Sequence, residues 1–108
     1  MKKVDIGRTV DYETLERALR SAAEKVGLRA TFSDQYSEGY RLGSVQETKA
    51  YSHTIVNLSG RFLPAMEIII YDKHPTNRFS VWSGLGWGFA SKSTVKAYLS
   101  AVSEALSV

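Results

Sequence analysis

The hydrophobic pattern changes its period at Gly27, and this change limits the folds that the chain can adopt. From Asp11 to Val26 the apolar residues recur at three- and four-residue steps, as on one stripe of an α-helix: Leu15, Ala18, Leu19, Ala22, Ala23 and Val26. After Gly27 apolar and polar residues alternate, as in a strand with one buried face. The pattern predicts a helix over 11–26, with Asp11 as N-cap and Gly27 as a left-handed C-terminal residue.

Short connections join the segments that follow this helix. Alternation predicts strands over 28–32, 36–42, 50–58, 62–71 and 79–82, in addition to a short one over 2–9. Turn residues predict breaks at Ser33-Asp34-Gln35 and at Ser59-Gly60, Pro64 fits a strand entrance, and the polar residues 44–49 predict a loop. Connections of hairpin size are too short for parallel crossovers, so neighbouring strands should be antiparallel.

A second amphipathic stretch closes the chain. Val95, Leu99, Val102 and Leu106 form its stripe, with Tyr98 and Ala105 flanking, and Ser91, Ser93 or Thr94 can serve as N-cap. The element order predicts an α+β fold in a single domain, residues 1–108. We expect one antiparallel sheet of about five to six strands, with two helices (about 11–26 and 92–106) packed on one face.

Composition narrows the function classes. The 108 residues are 44% hydrophobic and suffice for one core, and they contain no cysteine, which excludes disulfides, thiolate catalysis and cysteine-based metal sites. The longest apolar run, 68–71, is far short of the about 20 residues that span a bilayer. The first residues lack the apolar core of an export signal. We expect a cytoplasmic protein without membrane attachment, cofactor or metal.

The stretch 62–71 is apolar on both faces of its predicted strand. One face carries Phe62, Pro64, Met66, Ile68 and Ile70, and the other carries Leu63, Ala65, Glu67, Ile69 and Tyr71. A second subunit, a ligand or the chain's own loops could cover the second face, or a central strand could simply be more apolar than its neighbours. We expect the single carboxylate, Glu67, at an edge position that points to water.

Residues 79–89, just before the second helix, contain both tryptophans and two phenylalanines beside three glycines at alternate positions. This segment could be a connection whose rings fill the core. The loop 84–93 could also hold an anion, with free helix amides beside Lys92 and Lys96. Its partial match to the phosphate-binding P-loop has Ser91 at the second glycine and too little chain after it, so we expect no nucleotide hydrolysis.

Charge is distributed unevenly along the sequence. Residues 1–48 carry eight basic and eight acidic side chains, whereas residues 49–108 carry six basic and three acidic ones, together with eight of the twelve aromatic residues. A sheet face with rings and basic margins could accept single-stranded nucleic acid, although no recognised nucleic-acid motif is present.

Catalysis has few candidate groups. His53 and His74 are the side chains that titrate near neutral pH, and an active site would require His53, Asp72 and Glu67 to converge in one pocket. No nucleophile motif is present. The sequence therefore favours a non-enzymatic protein.

These observations favour a small binding or regulatory domain that forms a homodimer through the apolar sheet face, with a different protein as a further possible partner. The expected contact residues are Tyr51, Ile69, Tyr71, Trp82 and Trp87, with Arg78, Lys92 and Lys96 at a basic margin. A single-stranded nucleic-acid-binding module on the same face is the alternative. A third hypothesis is a small-molecule or anion site, or an enzyme, near loop 84–93.

Overall fold

A computed structural model describes residues 2–40, 47–60, 64–71, 75–82 and 92–107. It confirms the predicted α+β fold, with one antiparallel sheet of five strands and two helices. In chain order the elements are β1 (Lys2–Val10), α1 (Tyr12–Lys25), β2 (Arg29–Tyr40), β3 (Glu47–Ser59), β4 (Pro64–Ile70), β5 (Thr76–Trp82) and α2 (Lys92–Leu106).

The strands lie in the order β1-β5-β4-β3-β2. Strands β2 to β5 form a meander, and β1 pairs with the far side of β5, so β1 and β2 are the edge strands and β4 is central. Helix α1 leaves one edge strand and returns the chain to the other, which requires it to cross the sheet. The expected edge position of Glu67 is wrong, because β4 has a paired strand on each side.

Helix α1 begins and ends as the sequence predicts. The Asp11 carboxylate accepts a hydrogen bond from the Thr14 amide at 2.7 Å, and Gly27 has a φ of 77°. The hydrogen bonds that Thr14 donates lower the pKa of the Asp11 carboxyl, because they favour its charged form. The local cap and the left-handed residue thus define both ends of the helix.

Helix α2 packs against α1 through Tyr98, a residue that the sequence predicts beside the apolar stripe and not within it. Tyr98 is fully buried, and its hydroxyl donates to the Leu19 carbonyl oxygen at 3.0 Å. Val95 and Leu99, expected on the stripe, are partly buried. Ser93 and Thr94 lie inside the helix and cannot be its N-cap, and Ser91 lies outside the described residues.

Both helices pack on one face of the sheet, which we call the inner face. Arg20 of α1 lies 4.2 Å above the ring of Phe32 in β2, and Val4 of β1 and Leu99 of α2 line one crevice. The strands contribute to the core Val56, Leu58, Met66, Ile68, Ile70, Phe79 and Val81. Alternate strand residues point to the opposite side, which we call the outer face.

The predicted turn at Ser33-Asp34-Gln35 is wrong, because β2 continues through it. Asp34 pairs with Thr54 of β3, and the buried Thr54 hydroxyl donates to the Asp34 carboxylate at 2.7 Å. Turn-forming residues can occupy a strand when a partner strand satisfies their backbone and side-chain groups.

Two further boundaries differ from expectation. Residues 47–49 belong to β3 instead of a loop, since they continue the pairing with β2. Strand β4 begins at Pro64, so the connection after Ser59 is longer than the expected tight turn. Pro64 does occupy the strand entrance, where its missing amide hydrogen costs least. Residues 44–46 and 61–63 lie outside the described residues.

Strands β2 and β3 extend beyond the rest of the sheet. They pair from Arg29 and Ser59 to Tyr40 and Glu47, whereas β4 follows β3 only as far as Thr54. Residues 35–40 and 47–53 therefore form a two-stranded projection, the β2–β3 ribbon. The molecule is correspondingly elongated, with principal extents of 52 × 33 × 20 Å.

Candidate functional site: the outer face of the sheet

The centre of the outer face is a pair of isoleucines. Ile69 of β4 lies opposite Ile55 of β3, and both are partly buried. On one side this row continues through Ser80 to Lys3, and on the other side it reaches Ser33. The row is therefore apolar in the middle and polar at both ends.

The neighbouring row contains the exposed indole of Trp82. Its cross-strand partner is Glu67, which in turn lies opposite Asn57. Trp82 is 41% exposed, and Glu67 is half-buried. The carboxylate expected at an edge thus lies in the middle of the sheet beside an aromatic ring.

Two aromatic rings, those of Tyr71 and His53, lie on the side of the isoleucine pair that is opposite to Trp82. Tyr71, which is 56% exposed, follows β4, and its ring centroid is 6.3 Å from that of His53. His53 pairs with Gln35, and its Nδ1 lies 2.9 Å from the Ser52 hydroxyl. The apolar and aromatic centre of the outer face thus consists of Ile55, Ile69, Tyr71, His53 and Trp82.

The structure brings three of the five expected contact residues to this face: Ile69, Tyr71 and Trp82. Trp87 and residues 84–91 of the expected loop site lie outside the described residues. Arg78 of the basic margin lies on the outer face opposite Asp5. Lys96 is exposed on α2, which packs on the inner face, and α2 begins at Lys92.

Tyr51 does not share the face of Ile55, although simple alternation placed it there. The register shifts between Gln35 and Tyr36, so that β3 has one extra residue at Ser52. The Tyr51 hydroxyl lies 2.6 Å from the Thr54 Oγ1 instead. A bulge, which alternation cannot reveal, therefore redirects this ring.

A chain of hydroxyl groups results at the base of the β2–β3 ribbon. Thr54 uses its single hydroxyl proton on Asp34, so its Oγ1 must accept from Tyr51. The Tyr51 hydroxyl also lies 3.3 Å from the Ile70 carbonyl oxygen, and its ring meets that of Tyr36 edge-on at 6.2 Å. These contacts order the ribbon where β4 ends.

The comparisons with known proteins give no family. Protein-family models, curated proteins and solved structures all fail to match this chain. In the part of the chain that the structure describes, no helix has both the length and the apolar character to cross a membrane.

The expected catalytic residues do not converge where they can be placed. Glu67 lies opposite Asn57, four residues along β3 from His53, which corresponds to about 13 Å at 3.3 Å per residue. Asp72 and His74 lie outside the described residues. Within the described ranges no group of three His, Cys, Asp or Glu side chains could hold a metal ion.

A depression of about 470 Å³ adjoins the isoleucine row at the β1–β5 side. It is lined by Lys3, Tyr71, Pro75, Thr76, Asn77, Arg78, Phe79 and Ser80. Sequence reasoning missed Lys3 as a site residue. The alternation of Lys3 with Val4 predicts that the two side chains lie on opposite faces of β1. Only the pairing of β1 with β5 places Lys3 beside Ser80.

Proposed function

We propose that this protein is a binding module that self-associates through the outer face of its sheet. The observation that carries the proposal is the isoleucine pair with two exposed aromatic rings, Tyr71 and Trp82, around it. Both helices pack on the inner face, and among the described elements none crosses the outer one. An apolar centre with a polar rim is the usual anatomy of a protein interface.

The size of the face supports a weak dimer. Four strand spacings of about 4.8 Å and seven residues of about 3.4 Å give roughly 450 Å² per copy. Two copies would bury about 900 Å², which is below the roughly 1,200–2,000 Å² of stable specific interfaces and in the range of weak, transient ones. We therefore expect a dissociation constant in the micromolar range.

The charges of the face favour a second copy as the occupant. Glu67 lies near the centre, whereas Lys3 and Arg78 lie toward the β1–β5 side. A two-fold axis brings the same patch of both copies together, so a patch with both signs can pair its carboxylate with a cation of the other copy. A surface that carries both positive and negative charge can therefore pack against the same surface of a second copy.

Sedimentation velocity from micromolar to high micromolar concentration tests the proposal. Wild-type protein should shift from monomer to dimer, and Ile69→Glu should remain monomeric because it places a carboxylate in the apolar centre. Ser21→Glu, on the exposed side of α1, is the matched control and should dimerise normally. Circular dichroism checks folding, and Tyr71→Glu serves as a second variant at an exposed position.

A wild-type protein that stays monomeric throughout this range would contradict the proposal. So would a folded Ile69→Glu variant that dimerises as the wild type does.

Single-stranded nucleic acid is the second candidate, and the adjacency of Tyr71 and His53 favours it. Two rings on neighbouring strands offer stacking surfaces, and Arg78 lies on the same face. Asp5 and Glu67 on that face disfavour a phosphate backbone that would run along its whole length. Titration with a labelled oligonucleotide at low salt tests this candidate, because phosphate contacts are strongest there, and absence of binding would eliminate it.

A further inference from the structure

The depression beside the isoleucine row is formed by the separation of two strands. Strand β5 pairs with β4 only from Trp82 to Ser80, and its first residues pair with β1 instead, up to Thr76 opposite Val10. The end of β4 and the start of β5 therefore diverge on the outer face. The resulting volume of about 470 Å³ lies in the range of small-molecule sites.

The charged groups among the described residues that line the depression are cationic. Lys3 and Arg78 line it, and no Asp or Glu occurs among its described lining residues. Asp5 lies opposite Arg78 in the neighbouring strand, where its Oδ1 accepts the Gly7 amide at 2.8 Å, and its charge opposes that of one cation, so Lys3 supplies the excess positive charge. An ammonium and a guanidinium together favour a phosphate or carboxylate, which the planar guanidinium can bind through two parallel hydrogen bonds.

The Thr76 hydroxyl holds the backbone at Arg78. The Thr76 hydroxyl donates to the Arg78 carbonyl oxygen at 3.0 Å, and its oxygen lies 3.4 Å from the Arg78 amide nitrogen. These contacts order the start of β5, so the ordering cost on binding is smaller than for a mobile loop.

The other lining residues of the depression suit a planar ligand group. The exposed Tyr71 ring and Pro75 line the same depression, with Asn77 as an amide donor and acceptor and with the buried Ser80 opposite Ile69. Aromatic rings stack on planar ligands. We propose that the depression binds a small organic anion that carries a planar ring, of the size and chemistry of a mononucleotide.

The experiment uses the full chain and three probes: adenosine 5′-monophosphate, adenosine and inorganic phosphate. Calorimetry gives the affinities, and amide chemical shifts locate the site. The monophosphate should bind saturably and shift the amides of residues 76–80. Adenosine alone and phosphate alone should each bind roughly tenfold more weakly, since each lacks one of the two contacts.

Two arginine variants separate a built site from general attraction between charges. Arg78→Gln should weaken the monophosphate roughly tenfold. Arg29→Gln removes an exposed arginine in the opposite edge strand and should have no effect. Lys3→Gln is a second exposed variant whose folding should be unaffected, and it should also weaken binding.

Three results would overturn the proposal: no saturable binding of the monophosphate, equal binding of inorganic phosphate, or equal losses in Arg29→Gln and Arg78→Gln. The proposal does not depend on self-association. Sedimentation at the same concentrations reports the monomer–dimer equilibrium separately, so failure of one proposal leaves the other intact.

Discussion

Among single residues, Tyr98 contributes most visibly to the packing of the two helices. It is fully buried, and its hydroxyl donates across the helix interface to the Leu19 carbonyl oxygen. Burial raises the pKa of Tyr98, because the low-polarity surroundings disfavour the phenolate. The ring fills the interface and the hydroxyl fixes its orientation.

We expect Tyr98→Phe to lower the free energy of unfolding by about 1 kcal/mol, since one buried hydrogen bond is lost while the ring remains. Tyr98→Ala should lower it by about 3–5 kcal/mol because it also leaves a cavity. Urea unfolding followed by circular dichroism measures both. Tyr36→Phe, at a tyrosine that is 56% exposed, is the matched control and should change stability by less than about 0.5 kcal/mol. A Tyr98→Phe variant as stable as this control would contradict the expectation.

Among the elements, helix α1 has at each end a contact with a carboxylate, and these contacts depend on pH. Asp11 caps α1, and Glu104 of α2 pairs with Lys25 at the end of α1 at 2.5 Å. The hydrogen bond from Lys25 and its charge lower the pKa of Glu104, and the hydrogen bonds from Thr14 lower that of Asp11. Both carboxyls therefore bind a proton more readily in the unfolded chain than in the folded one.

Stability should consequently fall in acid. The contribution of each group is present above its unfolded pKa, near 3.8 for Asp11 and 4.5 for Glu104, and is lost as the pH falls through the lower folded pKa. Thermal melts between about pH 6 and pH 2 measure the decline. The double variant Asp11→Asn with Glu104→Gln should show a smaller decline, since asparagine keeps the cap while removing the charge. An unchanged slope in the double variant would argue against these two groups.

The elements also show what sequence reasoning can reach. The sequence predicts both helices and the caps of α1, because the spacing of apolar residues and the identity of cap residues act within a few positions along the chain. The sequence does not predict that β2 continues through Ser33-Asp34-Gln35, because the hydrogen bonds of this segment are made with β3, about twenty residues away in sequence. Likewise, two-sided apolarity found Ile69, Tyr71 and Trp82, whereas the bulge that redirects Tyr51 and the strand order that brings Lys3 beside Ser80 depend on pairing alone.

At the scale of the whole molecule, the β2–β3 ribbon makes the protein longer than a compact domain. The Cα radius of gyration is 15.4 Å, against about 13 Å expected for a compact chain of this length. A two-stranded ribbon has little stability of its own, so contacts at its base, such as Tyr51 with Thr54, must order it.

Hydrogen exchange should reveal this division. We expect slow exchange for the amides of β3 from Thr54 to Leu58, which lie between two strands, and faster exchange within residues 47–53, which pair with β2 alone. Native-state exchange followed by NMR measures this gradient. Thr54→Val removes the link between Tyr51 and Asp34 and should accelerate exchange in the ribbon more than in β4. Uniform protection along β3 would contradict the expectation.

The position of β1 has a consequence for biosynthesis. Strand β1 precedes its partner β5 by at least 66 residues, the separation of Val10 and Thr76, and the whole β2–β4 meander is made between them. During synthesis at the ribosome the meander can pair strand by strand, while β1 must wait with its apolar residues Val4 and Ile6 uncovered. We therefore expect β1 and α2 to join the core after the meander has formed.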